Sequence, residues 1–153
     1  MKSMGIPVRA ARTTEAAELA AVAAETFPLA CPHTADPADI AATIEANLSV
    51  RRFADFLADP GRVVLVATDD DRIVGYSMLI RGIGEDPDVA SSVAARPAIE
   101  LSKMYVLPSH HRTGAATALM AHGVDWAARD GAAAVWLGVN RNNERAQRFY
   151  RKH

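Results

Sequence analysis

The segment with the most evident chemical capacity is a turn of small residues that follows a predicted strand. Residues 98–107 are β-branched and aromatic enough for a strand, Pro108 ends it, and the Ala/Leu/Met run after Gly114 predicts a helix. This arrangement converges backbone N–H groups and the positive end of a helix dipole on one point, which suits a phosphate or pyrophosphate. Small residues at Gly114, Ala115 and Ala116 would let a bulky ligand approach the backbone, although close packing of helix on sheet explains the same residues.

Two histidines and one cysteine are further candidates for chemistry. His110 and His111 are adjacent in the turn, where neighbouring side chains point apart, and no third ligand accompanies them, so no metal site is predicted. Cys31 has no second cysteine with which to form an internal disulfide. It is either a small buried hydrophobe or a nucleophile.

Length and composition bound the class of protein. A chain of 153 residues predicts a single domain over 1–153 with a sizeable core. A net charge of −1 gives no general attraction to nucleic acid or membrane. The N-terminus leads into amphipathic sequence, and no stretch reaches ~18 consecutive apolar residues. We therefore expect a cytoplasmic protein with neither a nucleic-acid nor a membrane partner.

Hydrophobic periodicity and breaker residues predict the elements that must position the turn. In chain order these are a strand at 7–11, a helix at 14–26 ended by Phe27-Pro28, helices at 38–48 and 50–58, strands at 62–68 and 72–80, a loop or lid at 82–97, the central strand, a helix ended by Gly131, a strand at 133–139 and a helix at 143–152. The acidic turn at 69–71 predicts an antiparallel hairpin. The last strand-helix-strand piece requires a parallel pair, so the expected fold class is α/β, a mixed sheet flanked by helices.

Two motifs then make the chain resemble the GCN5-related N-acetyltransferase (GNAT) family. Residues 111–116, His-Arg-Thr-Gly-Ala-Ala, match the family's Arg/Gln-x-x-Gly-x-Gly/Ala pattern after the fourth strand. Asn143, Ala146, Phe149 and Tyr150 match its Asn-x-x-Ala-x-x-Phe/Leu-Tyr pattern. The resemblance covers essentially the whole chain and implies the acyl-CoA N-acyltransferase fold.

Within that family the chain looks closest to PaiA-type spermidine/spermine acetyltransferases. The segments that suggest this are Glu25-Thr26-Phe27, residues 135–139 and Asn143-Glu144. The resemblance thus implies transfer of an acetyl group from acetyl-CoA to a primary amine such as a polyamine. Another amine (an antibiotic, an amino acid or a protein N-terminus) and a non-catalytic acyl-CoA-binding module remain alternatives.

The chain departs from the family pattern in two places. His111 stands where Arg or Gln is usual, which keeps the backbone cradle but removes the expected side chain. The family continues after the last helix with Gly-Phe and two more strands, whereas this chain stops at His153. A shortened chain, omitted residues and a partner that completes the sheet, as in a homodimer, are the alternatives.

The resemblance also assigns a place to acetyl-CoA. Its pyrophosphate would lie on the backbone of His111, Arg112, Thr113, Gly114, Ala115 and Ala116. Its pantetheine arm would run along the strand edge at Met104, Tyr105 and Val106, where one N–H would polarise the thioester carbonyl. Core packing of the Met104 and Val106 side chains is compatible with this, because the ligand would use the backbone.

Three residues receive roles from the resemblance. Tyr150 would protonate the departing thiolate, although a buried tyrosine with a satisfied hydroxyl is the simpler explanation of a lone Tyr. Asn143 would bond the CoA arm or cap the last helix. Glu100 would act as general base through water; it lies four positions and ~13 Å along the strand from Met104, so we expect both side chains on one sheet face. An acid that only aids solubility explains Glu100 equally well.

Charged residues elsewhere carry the expectation about the substrate. Carboxylates that could line a polyamine tunnel, or simply form the wet sides of helices, are Glu25, Asp36, Asp39, Glu45, Asp55, Glu85 and Asp86. Arginines that could reach the 3′-phosphate of CoA, or be solvated, are Arg112, Arg141, Arg145 and Arg148.

Overall fold

The computed structural model describes residues 6–31, 33–81, 98–132 and 134–137. Its elements are β1 (Val8–Ala10), α1 (Ala16–Ala30), α2 (Pro37–Asn47), α3 (Val50–Ala58), β2 (Arg62–Asp69), β3 (Arg72–Arg81), β4 (Ala98–Val106), α4 (Ala115–Arg129) and β5 (Ala134–Leu137). Short 3₁₀ turns lie at Thr13–Glu15 and Pro108–His110. The predicted loop at 82–97 and the predicted helix at 143–152 lie outside the described residues.

The five strands form one mixed sheet in the order β1-β2-β3-β4-β5. The first four pair antiparallel, and β4 pairs parallel with β5. The prediction of an α/β fold with one parallel pair is therefore confirmed. The β2-β3 hairpin is confirmed as well, and its turn places Asp70 and Asp71 at positive φ, which short polar side chains tolerate better than most.

Side-chain caps explain where two of the helices begin. The Asp36 carboxylate accepts the Ala38 N–H at 2.9 Å, with Pro37 in the first turn of α2. The Ser49 hydroxyl accepts the Arg52 N–H at 3.2 Å and caps α3.

The predicted end of α1 was wrong. The helix continues through Phe27 and Pro28 to Ala30, and the Cys31 N–H bonds back to the Pro28 carbonyl at 3.2 Å. Proline lacks one N–H donor, and near the end of a helix this loss removes only a single hydrogen bond. The extension brings Phe27 against the core beneath the helices.

Each face of the sheet carries its own core. We call the side covered by α1 and α3 the front face; its core includes Leu19, Val22, Phe53, Val66, Tyr76 and Met78. We call the side covered by α4 the back face; its core includes Leu65, Val74, Leu79, Ile99, Leu101 and Leu119. Within the described ranges, no helix combines the length and apolar character needed to cross a membrane.

Candidate active site

The turn between β4 and α4 is built on a glycine that no other residue type replaces without strain. Gly114 caps α4 with φ of 87° and ψ of 7°, in the left-handed region. A side chain there would meet nothing within 4 Å, so the glycine is required by backbone conformation and leaves open space beside it.

The first turn of α4 presents its amides to that open space. Ala118 N–H bonds the Gly114 carbonyl at 2.9 Å, whereas the N–H groups of Gly114, Ala115 and Ala116 have no acceptor among the described residues. Free amides at the positive end of a helix dipole suit an anionic group. The residues present therefore fit the pyrophosphate of a nucleotide-type co-substrate.

Histidine side chains fasten this turn to the sheet. The ring Nε2 of His111 lies 2.9 Å from the Val106 carbonyl oxygen at the end of β4. His110 Nε2 lies 2.8 Å from an Asp69 carboxylate oxygen, and the Thr113 hydroxyl donates to the His110 carbonyl at 2.8 Å. The two rings thus bond different strands. Arg112 is exposed in the same turn.

The strand β4 leads directly into this turn. Among the described residues, β4 pairs with β5 from Ala98 to Leu101 and with β3 as far as Val106. The predicted site residues Met104, Tyr105 and Val106 therefore form the end of β4 that precedes the turn.

An irregularity in β4 overturns one geometric prediction. Lys103 pairs with Met78 and Leu101 pairs with Leu79, so Ser102 is an extra residue in the strand, a β-bulge. Ile99, Leu101 and Met104 all pack on the back face. Glu100, which pairs with front-face Ile80, consequently faces front. The expectation that Glu100 and Met104 share a face was wrong, because a four-residue spacing keeps one face only in a regular strand.

The front face of β4 opens into a cavity of about 260 Å³. Ser102, Lys103 and Tyr105 form its floor. Around them stand residues from α2, α3, β2 and β3, among them Thr43, Arg52, Phe56, Arg62 and Met78. The predicted site residue Tyr105 is partly buried, with its ring centroid 5.8 Å from that of Tyr76.

Glu100 and Lys103, both on this face, have shifted pKa values. Burial raises the pKa of the half-buried Glu100 carboxyl, against the opposing effect of the Lys103 and Arg62 charges. Burial also lowers the pKa of the Lys103 ammonium, and the nearby Arg62 charge lowers it further. Each group is thus closer to its neutral form than it would be in water.

The charged residues that line this cavity are cations that the sequence reasoning missed. Arg52, Arg62 and Lys103 line it, whereas the five described carboxylates expected there are exposed and none lines it: Glu25, Asp36, Asp39, Glu45 and Asp55. Asp36 caps α2, and Glu45 and Asp55 line a second, more open cavity on the other side of Arg52. The sequence signal that could have indicated a cationic cavity was Lys103, a charged residue near the apolar end of a strand.

Some predicted residues lie outside the described residues: Asn143, Tyr150, Glu85, Asp86, Arg141, Arg145 and Arg148. In the part of the chain that is described, no three His, Cys, Asp or Glu side chains lie close enough to hold a metal ion. Cys31 is partly buried, and its thiol lies 3.4 Å from the Phe27 carbonyl.

The chain belongs to the Acetyltransferase (GNAT) family, whose family model matches residues 24–153. It is 57% identical over 139 residues to an uncharacterised N-acetyltransferase of Mycobacterium tuberculosis, an alignment covering 91% of this chain and 81% of that protein. A protein of Mycobacterium bovis with the same description matches equally.

Solved structures share the fold. The PaiA N-acetyltransferase of Thermoplasma acidophilum in complex with coenzyme A superposes with a TM-score of 0.76 at 19% identity, covering 97% of this chain and 88% of that one. An aminoglycoside N-acetyltransferase in complex with CoA gives 0.68 at 16% identity, covering 99% and 88%. The chain is therefore an acetyl-CoA-dependent N-acetyltransferase with the acyl-CoA N-acyltransferase fold, and acetyl-CoA is its co-substrate.

Proposed function

We propose that the protein acetylates the primary amine of a small molecule by direct attack of the amine on the thioester of acetyl-CoA. The observation that carries this proposal is the double use of one strand segment. Ser102, Lys103 and Tyr105 of β4 line the front-face cavity, and they belong to the strand end that leads to the Gly114 turn. An acceptor in the cavity and a co-substrate on that turn would therefore meet at β4.

Backbone groups hold the co-substrate in this proposal. The free amides of Gly114, Ala115 and Ala116 bind the pyrophosphate, with His111, Arg112 and Thr113 completing the turn. The backbone of Met104, Tyr105 and Val106 aligns the pantetheine arm, and one N–H there polarises the thioester carbonyl. Acetyl-CoA supplies the activated acyl group.

Side chains move the protons. Glu100 accepts a proton from the incoming ammonium through water, and its raised pKa suits a base that works near neutral pH. The neutral amine nitrogen then forms the new C–N bond, the C–S bond breaks, and the nitrogen loses its second proton to solvent. Tyr150 donates its phenolic proton to the departing thiolate and regains one from solvent, and Asn143 binds the CoA arm; the roles of Tyr150 and Asn143 depend on the family motif alone.

The acceptor is a primary amine, and a polyamine is one member of that class. The fold shared with the PaiA N-acetyltransferase supports a polyamine. The described carboxylates that could bind a polycation give it no support, because none of them lines the cavity.

The test follows free thiol release from acetyl-CoA with spermidine, spermine, aminoglycosides, amino acids and no acceptor in parallel. We expect amine-dependent turnover, and Tyr150→Phe should lower kcat by about 100-fold or more. Binding of acetyl-CoA without thiol release above the blank for any amine would instead favour a non-catalytic acyl-CoA-binding module. Full turnover by Tyr150→Phe would remove the acid role while leaving the enzyme in place.

A further inference from the structure

We propose that the acceptor of this N-acetyltransferase carries an anionic group, a carboxylate or phosphate, which Arg52, Arg62 and Lys103 bind in the front-face cavity. This inference rests on the proposed function and names its substrate class. It differs from the expectation of a polyamine, because the acceptor would bear an acid group as well as an amine.

The first argument is the unused hydrogen-bonding capacity of the guanidinium groups. Arg62 gives its Nε–H to the Asp59 carboxylate at 2.9 Å, and its Nη1 lies 3.8 Å from the sulfur of Met78, a weak acceptor. The Arg52–Asp55 pair is 3.7 Å apart, beyond hydrogen-bond distance. A guanidinium has five N–H donors, so most donors of both side chains remain available.

The second argument is the position of these guanidinium groups. Both lie against the ring of Phe56, with Arg62 at 5.0 Å and Arg52 at 5.3 Å from its centroid. Phe56 is itself buried and lines the cavity. The aromatic ring therefore holds two cations beside the same opening before any ligand arrives, which lowers the entropic cost of binding an anion.

The third argument is Lys103. Its ammonium is partly buried and has no hydrogen bond or ion pair among the residues that the structure describes. Burying a charge without a partner costs free energy, and so does placing it beside Arg62. A bound anion removes both costs, whereas a polyamine would add more positive charge to the same place.

Glu100 places a carboxyl group beside the cavity without lining it. It faces the same side of β4 as Lys103, two register positions farther from the α4 turn, and the two charges interact. A carboxyl base near a cluster of cations matches an acceptor whose ammonium and acid group belong to one small molecule. A cavity of about 260 Å³ is slightly below the ~300 Å³ lower end of ordinary ligand sites, consistent with a small acceptor.

The experiment compares acceptors that differ only in the acid group. Thiol release is measured for lysine against pentane-1,5-diamine, alanine against ethylamine, and O-phosphoethanolamine against ethanolamine, with spermidine alongside. The first two pairs test a carboxylate and the third tests a phosphate. We expect kcat/KM to favour the anionic member of at least one pair by about 10-fold to 100-fold, mainly through KM.

The variant Lys103→Met should bring that ratio close to one. It removes a partly buried charge that has no hydrogen bond or ion pair among the described residues, so we expect it to fold at least as well as the parent protein. Arg51→Gln is the matched control, since Arg51 is exposed on the same helix as Arg52 and does not line the cavity. The control should keep the parent ratio, and the affinity for acetyl-CoA should be unchanged in both variants.

Three results would count against the inference. Equal or better turnover of the amines that lack an acid group, spermidine included, would overturn it and leave the N-acetyltransferase function intact. A fall in acetyl-CoA affinity in Lys103→Met would assign the cations to the co-substrate. If no amine released thiol, the proposed function would fail. The anion site would then be tested by titrating the acetylated form of each amine into the CoA complex in a calorimeter. Equal affinity for the two members of every pair would overturn the anion site.

Discussion

The two faces of β4 differ in the kind of group they offer to a ligand. Toward the α4 turn the contacts are made by backbone: the amides of Gly114 to Ala116 and the carbonyl of Val106, which His111 binds. On the front face the cavity is lined by charged side chains, among them Arg62 and Lys103. Backbone groups are common to every sequence, whereas charged side chains differ between proteins.

In the proposed function, the two regions carry different tasks. A cradle of amides needs only a chain conformation and a few small residues to bind the co-substrate. Specificity for the amine would depend on side chains that three separate elements bring to one cavity.

The largest expected effects are losses of stability when a core side chain is shortened on either face of the sheet, and their effects on the acceptor KM should differ. Phe53 is completely buried, and its ring packs edge-on against Phe56 at 5.6 Å and Tyr76 at 5.5 Å. Phe53→Ala should lower the free energy of unfolding by about 3–5 kcal/mol and also raise the acceptor KM, because Phe56 supports the cavity. Leu119→Ala, on the back face, should cost about 2–5 kcal/mol and leave the acceptor KM unchanged. Urea denaturation and steady-state kinetics measure both; equal KM changes would contradict the separation of the faces.

The next effect tests the backbone cradle with two glycines of like conformation. Gly114 and Gly131 flank α4 with φ of 87° and 89°, and neither has an atom within 4 Å of an added Cβ. Alanine at either site should cost about 1–2 kcal/mol of stability, because both backbones are left-handed. Only Gly114→Ala should weaken acetyl-CoA binding in calorimetry, by about 10-fold. If Gly131→Ala weakened it equally, the loss would reflect stability alone.

A carboxylate on the front side that has an ion-pair partner contrasts with Lys103, which has none among the described residues. Arg9 bonds both oxygens of Glu15, at 2.8 and 2.7 Å, and holds the pKa of that carboxyl at about 2, below the ordinary 4.5. Since the folded-state pKa is depressed, the stabilisation is complete above about pH 4.5 and is lost as the pH falls toward 2.

Glu15→Gln should therefore lower the unfolding free energy at pH 7 by about 1–3 kcal/mol, with kcat/KM unchanged. The difference in unfolding free energy between variant and parent protein should shrink as the pH falls from about 4.5 toward 2. Denaturation at several pH values measures it. Asp125→Asn, which breaks the exposed pair with Arg129, is the control and should show no such trend. A difference independent of pH would mean that Glu15 acts by packing.

The smallest effect concerns the hydroxyl beneath the cavity. Tyr76 is fully buried, and its hydroxyl has no hydrogen-bond partner in the described part of the chain. Tyr76→Phe should raise the unfolding free energy by about 1 kcal/mol without changing acceptor kinetics. A loss of stability would show that this hydroxyl is bonded in the folded protein.

Local patterns predicted most of the elements. The acidic hairpin turn and the strand-turn-helix segment around Gly114 both depend on residues close together in the chain. The end of α1 was misjudged because the pattern of a proline near a helix terminus does not say which side of the terminus it lies on.

The composition of the cavity could not be predicted in the same way. Arg52, Arg62 and Lys103 come from α3, β2 and β4, and only tertiary packing brings them together. The face of Glu100 was misjudged because the bulge at Ser102 leaves no mark in the hydrophobic pattern. Both failures concern the substrate side, where arrangement over long chain distances decides the chemistry.

The extra residue at Ser102 reverses the sheet face on which odd-numbered and even-numbered side chains of β4 lie. Side chains alternate with a period of two, so odd-numbered Ile99 and Leu101 and even-numbered Met104 and Val106 point the same way only because one residue is inserted between them. Deleting Ser102 would turn Glu100 toward α4 while every residue type stayed the same. A single extra residue thus decides which of the two cores a carboxyl group in this strand faces.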